Sequence, residues 1–255
     1  MSARVDSLRS LHNLESRHWP LLPCPTCGGL SLVLDRPGVR IIDSGVSKRA
    51  QQLEHWEADM VSGSFTGQLR CGVEACQEGV AVLGDGDLVP EMEGRDWYGD
   101  YDTRLRPVVF RPPLRIIEPP DQCPETVTRF LEAAADVIWL DPSAAVNRMR
   151  AAEEALMTAH SVQRYMVNRK SKRVRLSLHE RLERFEKKKP EPAGLLMAVK
   201  WLGNDASHGD VITDEDAWEA AEILELALHL LYDDRTAALK VRAAAIVKAR
   251  GIAKR

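Results

Sequence analysis

Four cysteines stand in two close pairs, Cys24-Pro-Thr-Cys27 and Cys71-Gly-Val-Glu-Ala-Cys76, separated by residues 28–70. Zinc takes four thiolates in a tetrahedron, and two short loops that each supply two sulfurs are the usual way to build one. Gly28, Gly29 and Gly72 suit the tight turns that such loops require. The pairs therefore predict one structural zinc held by Cys24, Cys27, Cys71 and Cys76. Two other readings stay open: buried thiols in a β-rich domain, and a redox Cys-x-x-Cys, although no βαβ context surrounds it. Cys123 stands alone and reads as a free buried thiol; His18 is a candidate replacement ligand. A site with four protein ligands is closed, so it folds a domain and hydrolyses nothing.

A second constellation lies in Trp201-Leu-Gly-Asn-Asp-Ala-Ser-His208, where Asn204 and His208 are four apart and share a helix face. A third is electrostatic. Residues 164–189 hold eleven Lys or Arg against three Glu, densest at Arg169, Lys170, Lys172, Arg173 and Arg175. Such a patch neutralises phosphate backbones with little sequence preference, which predicts RNA or DNA contact. Tyr165 and Phe185 are its only aromatic residues, so base stacking is not suggested. The competing reading is a solvated helix–helix loop balanced by acidic neighbours. His179 and His229 fall within helical patterns as ordinary residues. No Rossmann fingerprint, P-loop, HExxH or GxSxG occurs.

The elements that must position these groups change texture along the chain. Leu30 to Leu34, Val39 to Ile42 and Gly79 to Leu83 read as short strands between glycine turns, after a polar N-terminal helix. Residues 48–60 suggest a helical insert. Leu105-Arg-Pro-Val-Val-Phe-Arg-Pro-Pro-Leu-Arg-Ile-Ile-Glu-Pro-Pro120 cannot be helical and reads as an extended strap. Helical signs follow. Asp141-Pro142 is a cap and first-turn proline, Ser177/Glu180 and Thr213/Asp216 are capping boxes, and Pro192 opens a helix that runs to Gly209. Ala145, Met149, Ala152 and Leu156 form one apolar stripe, and Ala217, Ala221, Leu224, Leu228 and Leu231 another. An alanine-rich basic helix runs from Asp234 to the end. The expected class is α+β: a β-rich zinc ribbon with its N-terminal helix at 1–90, a proline-rich connector at 91–122 and an all-α bundle of five or six helices at 123–255.

The chain has 255 residues and a formal net charge of −3, so it is no general polyanion binder and any nucleic-acid contact must be local. Hydrophobic residues make up 44% and charged ones 29%, which suits folded domains. No eighteen-residue apolar run and no signal-peptide core occur, which predicts no membrane association and a cytoplasmic protein.

The cysteine pairs, the 105–120 segment, Val146-Asn-Arg-Met-Arg-Ala-Ala-Glu-Glu-Ala-Leu156, and Trp201–Asp210 followed by Glu219–Asp233 resemble the domain of unknown function 4145 family, over about residues 20–235. That resemblance implies a HEPN-like helical domain, a homodimer, and a link to defence against foreign nucleic acid, with a defence-complex protein as partner. Active HEPN ribonucleases carry arginine, a polar residue, three further residues and histidine. Asn204 and His208 match the polar residue and the histidine, but Gly203 stands at the arginine position, and a glycine holds no phosphate. Arg148 or Arg150, on the preceding helix, is the candidate substitute. In the other reading His208 bonds Glu153 or Glu154 across the bundle. The reading that follows is a non-catalytic, zinc-containing nucleic-acid-binding or assembly module. The alternatives are a metal-independent ribonuclease using His208 and a purely structural partner-binding protein.

Overall fold

Along Ser62–Cys71 buried residues alternate with more exposed ones: Phe65, Gly67, Leu69 and Cys71 face inward. This period of two marks a strand with one covered face. It is the fifth strand of the computed structural model, which describes residues 3–11, 14–93, 96–208 and 211–251. The chain forms two units, one of residues 1–116 with 135–141, the other of 117–134 with 142–255.

The first unit holds α1 (Ala3–Arg9), β1 (Leu14–Glu15), β2 (Leu22–Pro23), β3 (Leu30–Leu34), β4 (Arg40–Asp43), α2 (Gly45–Ala50), β5 (Ser62–Cys71), β6 (Gly79–Glu93) and β7 (Asp96–Arg111). They build a curled seven-stranded antiparallel sheet in the order β1-β7-β6-β5-β3-β2, with β4 also on β5. The register sets Leu32 opposite Cys71, Leu34 opposite Leu69, and Leu69 opposite Val80. These apolar residues, with Phe65, Val82, Leu105 and Phe110, form the covered face. Residues 135–141 close on it, where Trp139 meets Phe110 edge-on at 5.2 Å.

This sheet corrects the expected boundaries. Residues 96–111 are not a connector but strand β7, paired with β6 from Glu93↔Asp96 to Ala81↔Arg111. Of the prolines in the 105–120 segment, Pro107 lies within β7 beside one register shift of this pair and the other four follow the strand; Pro90 of β6 lies beside the second shift. A bulge is where a ladder tolerates a residue with no N–H. The insert expected at 48–60 shortens to α2 and a 3-10 turn at Ala58–Met60.

The second unit contains α3 (Glu125–Ala135), α4 (Pro142–Ala159), a hairpin of β8 (Tyr165–Val167) and β9 (Arg173–Arg175), then α5 (Leu178–Glu186), α6 (Pro190–His208), α7 (Asp214–Tyr232) and α8 (Asp234–Ala249). Both capping boxes form as the sequence predicts, with Ser177 on Glu180 and Thr213 on Asp216. The α4 stripe of Ala145, Met149, Ala152 and Leu156 is fully buried. So are Ala217, Ala221, Leu224 and Leu228 of α7, while Leu231 is half-buried. No described helix is long and apolar enough to cross a membrane.

The β6–β7 bulge depends on Gly84. A Cβ there would stand 2.0 Å from the Arg106 carbonyl oxygen and 2.7 Å from Phe65, whereas one at Gly79 would meet nothing within 4 Å. Gly84→Ala should lower the stability of the first unit by about 1–3 kcal/mol, and Gly79→Ala should leave it close to unchanged. Thermal unfolding of the two variants checks this; equal midpoints would contradict the register.

Candidate functional site

The cysteines arrive from two knuckles at one end of the sheet. Cys24 follows β2, and its carbonyl accepts from Gly28 N–H at 2.9 Å, with Gly28 at φ 73°. Cys71 ends β5, and in the second knuckle the Val73 carbonyl accepts from the Cys76 and Gln77 amides, with Gln77 at φ 51°. Thr26 and Glu78 join the knuckles by a side-chain hydrogen bond. The four sulfurs lie within 4.8 Å of one another, and Cys24–Cys76 and Cys27–Cys71 are both 3.7 Å apart. A tetrahedral metal with metal–sulfur bonds of about 2.3 Å requires sulfur–sulfur edges of about 3.8 Å. Disulfides need about 2.0 Å, and all four are free thiols. The group therefore has the size and donor chemistry of a metal site.

Electrostatics point the same way. Ser31 Oγ lies 3.1 Å from Cys71 Sγ, and its hydrogen bond brings that thiol down to about 7. Burial pushes Cys24 up. At Cys76 a backbone hydrogen bond at Glu78 favours the thiolate, yet burial and the neighbouring cysteines push it up to about 12. Four sulfurs this close do not all ionise without a cation among them. Ser31 was not singled out in the sequence, because only the β3–β5 register brings it to the cluster. His18 instead lies 3.3 Å from Glu15, and Cys123 is buried in the other unit.

The basic residues expected in a helix–helix loop are instead on the β8–β9 hairpin. Arg169, Lys170 and Lys172 occupy its tip, where Asn168 Oδ1 accepts from the Lys170 and Lys172 amides at 3.0 Å. Arg173 and Arg175 lie on β9. Arg173 stacks over Tyr165 at 4.1 Å, and Arg175 donates to Glu154 at 2.7 Å. Every residue of β8 is exposed. Arg181, from the same basic stretch, is 2% exposed and donates to the Glu154 and Val162 carbonyls and the Thr158 hydroxyl. It is structural.

On α6, Asn204 is half-buried and Gly203 is buried; His208 closes the helix, and its side chain lies outside the described residues. Arg148 is exposed, whereas Arg150 packs on Gly203: a Cβ there would stand 3.0 Å from Arg150 Cδ and 3.2 Å from its Cβ. A side chain at the arginine-position glycine would therefore press on Arg150, and an arginine from α4 packs over it. Between these helices Glu153 is fully buried, and neither carboxylate oxygen has a hydrogen-bond partner among the described residues. In the sequence Glu153 falls on the apolar stripe of α4, four residues after Met149 and three before Leu156.

Residues 132–250 match the profile of the domain of unknown function 4145, and residues 12–112 that of the domain of unknown function 8608. No curated protein and no solved structure matches the chain.

Burial raises Glu153 well above the ordinary glutamate range, against the opposing charges of Arg150 and Lys200. A raised folded-state value favours folding fully below the unfolded value, and that contribution is lost as pH rises through the folded one. Glu153→Gln should therefore match the wild type near pH 4 and unfold at least about 2 °C higher near pH 8. Thermal melts across that range check it; a gap that does not grow with pH would overturn the assignment.

Proposed function

For a chain whose residues 132–250 belong to the domain of unknown function 4145 family, we propose a non-catalytic role: a zinc-containing module that binds nucleic acid through the β8–β9 hairpin. One observation carries this reading. Five cations project on an exposed two-stranded ribbon, and of these only Arg175 is ion-paired among the described residues. Two-stranded ribbons fit nucleic-acid grooves, and unpaired cations release counterions when they meet phosphates. The cysteine group serves as a closed zinc site that folds its end of the sheet. The link to defence against foreign nucleic acid rests on the family resemblance. Self-association is supported by α8, where Leu239, Val241, Ile246 and Val247 are all exposed.

A second reading, metal-independent RNA cleavage with His208, is favoured by Arg150 crossing Gly203. It requires a proton acceptor for the 2′-hydroxyl and a cation for the phosphate. Cleavage of RNA in chelator that is lost in His208→Ala and Arg150→Ala would replace the first reading with the second.

Two experiments test the main proposal. Purified protein should carry one zinc per chain, and Cys71→Ser should lose it and unfold the sheet while the helical signal stays; metal-free protein with an intact sheet would exclude the zinc. Fluorescence anisotropy should detect binding of labelled duplex and single-stranded oligonucleotides. Replacing Arg169, Lys170 and Lys172 together with alanine should weaken binding and reduce the salt slope by about 2–3. Unchanged affinity and slope would exclude the hairpin.

A further inference from the structure

Where α4 and α5 both end, the helical unit carries an open concavity of about 410 Å³ lined by His160, Gln163, Arg184, Phe185, Lys188 and Lys189, among others. Its electrostatics are one-sided. None of the residues that line it is acidic, and Arg184, Lys188 and Lys189 form no ion pair among the described residues. Arg184 is held in place, donating to Gln163 Oε1 at 2.8 Å. The Lys188 and Lys189 amides are committed to the Phe185 carbonyl, so their charge is offered by the side chains. Ser161, exposed and at φ 56°, also lines the concavity.

His160 forms one wall. Its Nε2 lies 3.1 Å from the Tyr232 hydroxyl, and its ring is tilted against Phe185 at 5.1 Å. Burial first, and then the charge of Lys189, hold it below its ordinary value. Burial and the nearby Cys123 push Tyr232 up to about 12, so its hydroxyl keeps its proton as a donor.

We propose that this concavity binds a phosphate monoester, with Arg184, Lys188 and Lys189 neutralising the dianion and His160 and Ser161 bonding its oxygens. Three unpaired cations around one concavity suit a doubly charged terminal group better than a carboxylate. A concave site admits a terminal phosphate, whereas the phosphodiesters of a duplex need an open surface. The walls of Val162 and Phe185 leave room for the carbon framework that carries the phosphate. The group could belong to a free nucleotide or to the 5′ end of a strand. The site shares no residue with the hairpin tip, so it stands or falls independently of the hairpin reading.

Lysines and arginines at a helix end also complement the helix dipole, and a purely dipolar role makes a different prediction. Isothermal titration of the full chain with inorganic phosphate, adenosine monophosphate, and a short oligonucleotide with either a 5′-phosphate or a 5′-hydroxyl separates them. Saturable binding of the monophosphate or of the 5′-phosphorylated strand is expected, with the 5′-hydroxyl strand at least about tenfold weaker. Lys188→Ala/Lys189→Ala should lose about tenfold or more, and Lys188→Arg/Lys189→Arg should retain binding. Both lysines are exposed, so neither variant disturbs the core. Preference for the mononucleotide would assign a free ligand, and preference for the phosphorylated strand a strand end. Absence of saturable binding by every phosphorylated probe, or binding unaltered by the alanine pair, would overturn the proposal.

Discussion

A buried guanidinium organises the helical unit. Arg181 of α5 reaches back to the last turns of α4, bonding the carbonyls of Glu154 and Val162 and the hydroxyl of Thr158. Burial depresses its value, while Glu154 opposes that shift. An arginine withdrawn from water this far is tolerated only where such acceptors are fixed around it. The contacts bend the chain over α5 as it leaves α4. Two features follow: the hairpin springs outward from Arg164 and Leu176, whose backbones are bonded at 2.9 Å, and His160 is laid against Phe185. Both candidate anion sites adjoin these contacts: Val162 lines the concavity, and Glu154 pairs with Arg175 of the hairpin.

The sheet solves a different problem, bringing two distant cysteine pairs to one point. Leu32 opposite Cys71 places the end of β5 beside the turn that precedes β3. Gly72 N–H then donates to the Ser31 carbonyl at 2.9 Å, and Cys24 N–H to that of Gly29 at 2.8 Å. Backbone pairing thus sets the sulfur spacing, so the group is preorganised for a cation. A slip of one residue would turn Cys71 to the other face.

Gly203 and Arg150 show how a missing motif residue acquires a physical reason. Glycine costs about 1 kcal/mol relative to alanine inside a helix. Here its bare backbone admits the aliphatic stem of Arg150, and the same helix pair buries Glu153. A cation is present at this place in the fold, but it comes from α4.

What the sequence alone determined was local or strictly periodic. The capping boxes at Ser177 and Thr213, the start of α4 at Pro142, strand Leu30–Leu34 and the stripes of α4 and α7 each follow from residues within one or two turns of each other. The cysteine spacing likewise announces a four-sulfur group. Tertiary structure decided the rest. Strand β7 was hidden because Pro107 has no N–H to give a ladder, and only pairing with β6 places it at a bulge. The basic residues 169–175 could equally have been a loop; the β8–β9 register and the Leu176 N–H bond to the Arg164 carbonyl close them into a hairpin. Glu153 falls on the α4 stripe, four residues after Met149, but only packing decides that a carboxylate is buried there without a hydrogen-bond partner among the described residues. Arg184, Lys188 and Lys189 are close in sequence, and the fold decides that His160 at the end of α4 lines the same concavity, because a charge's environment is set by its neighbours in space.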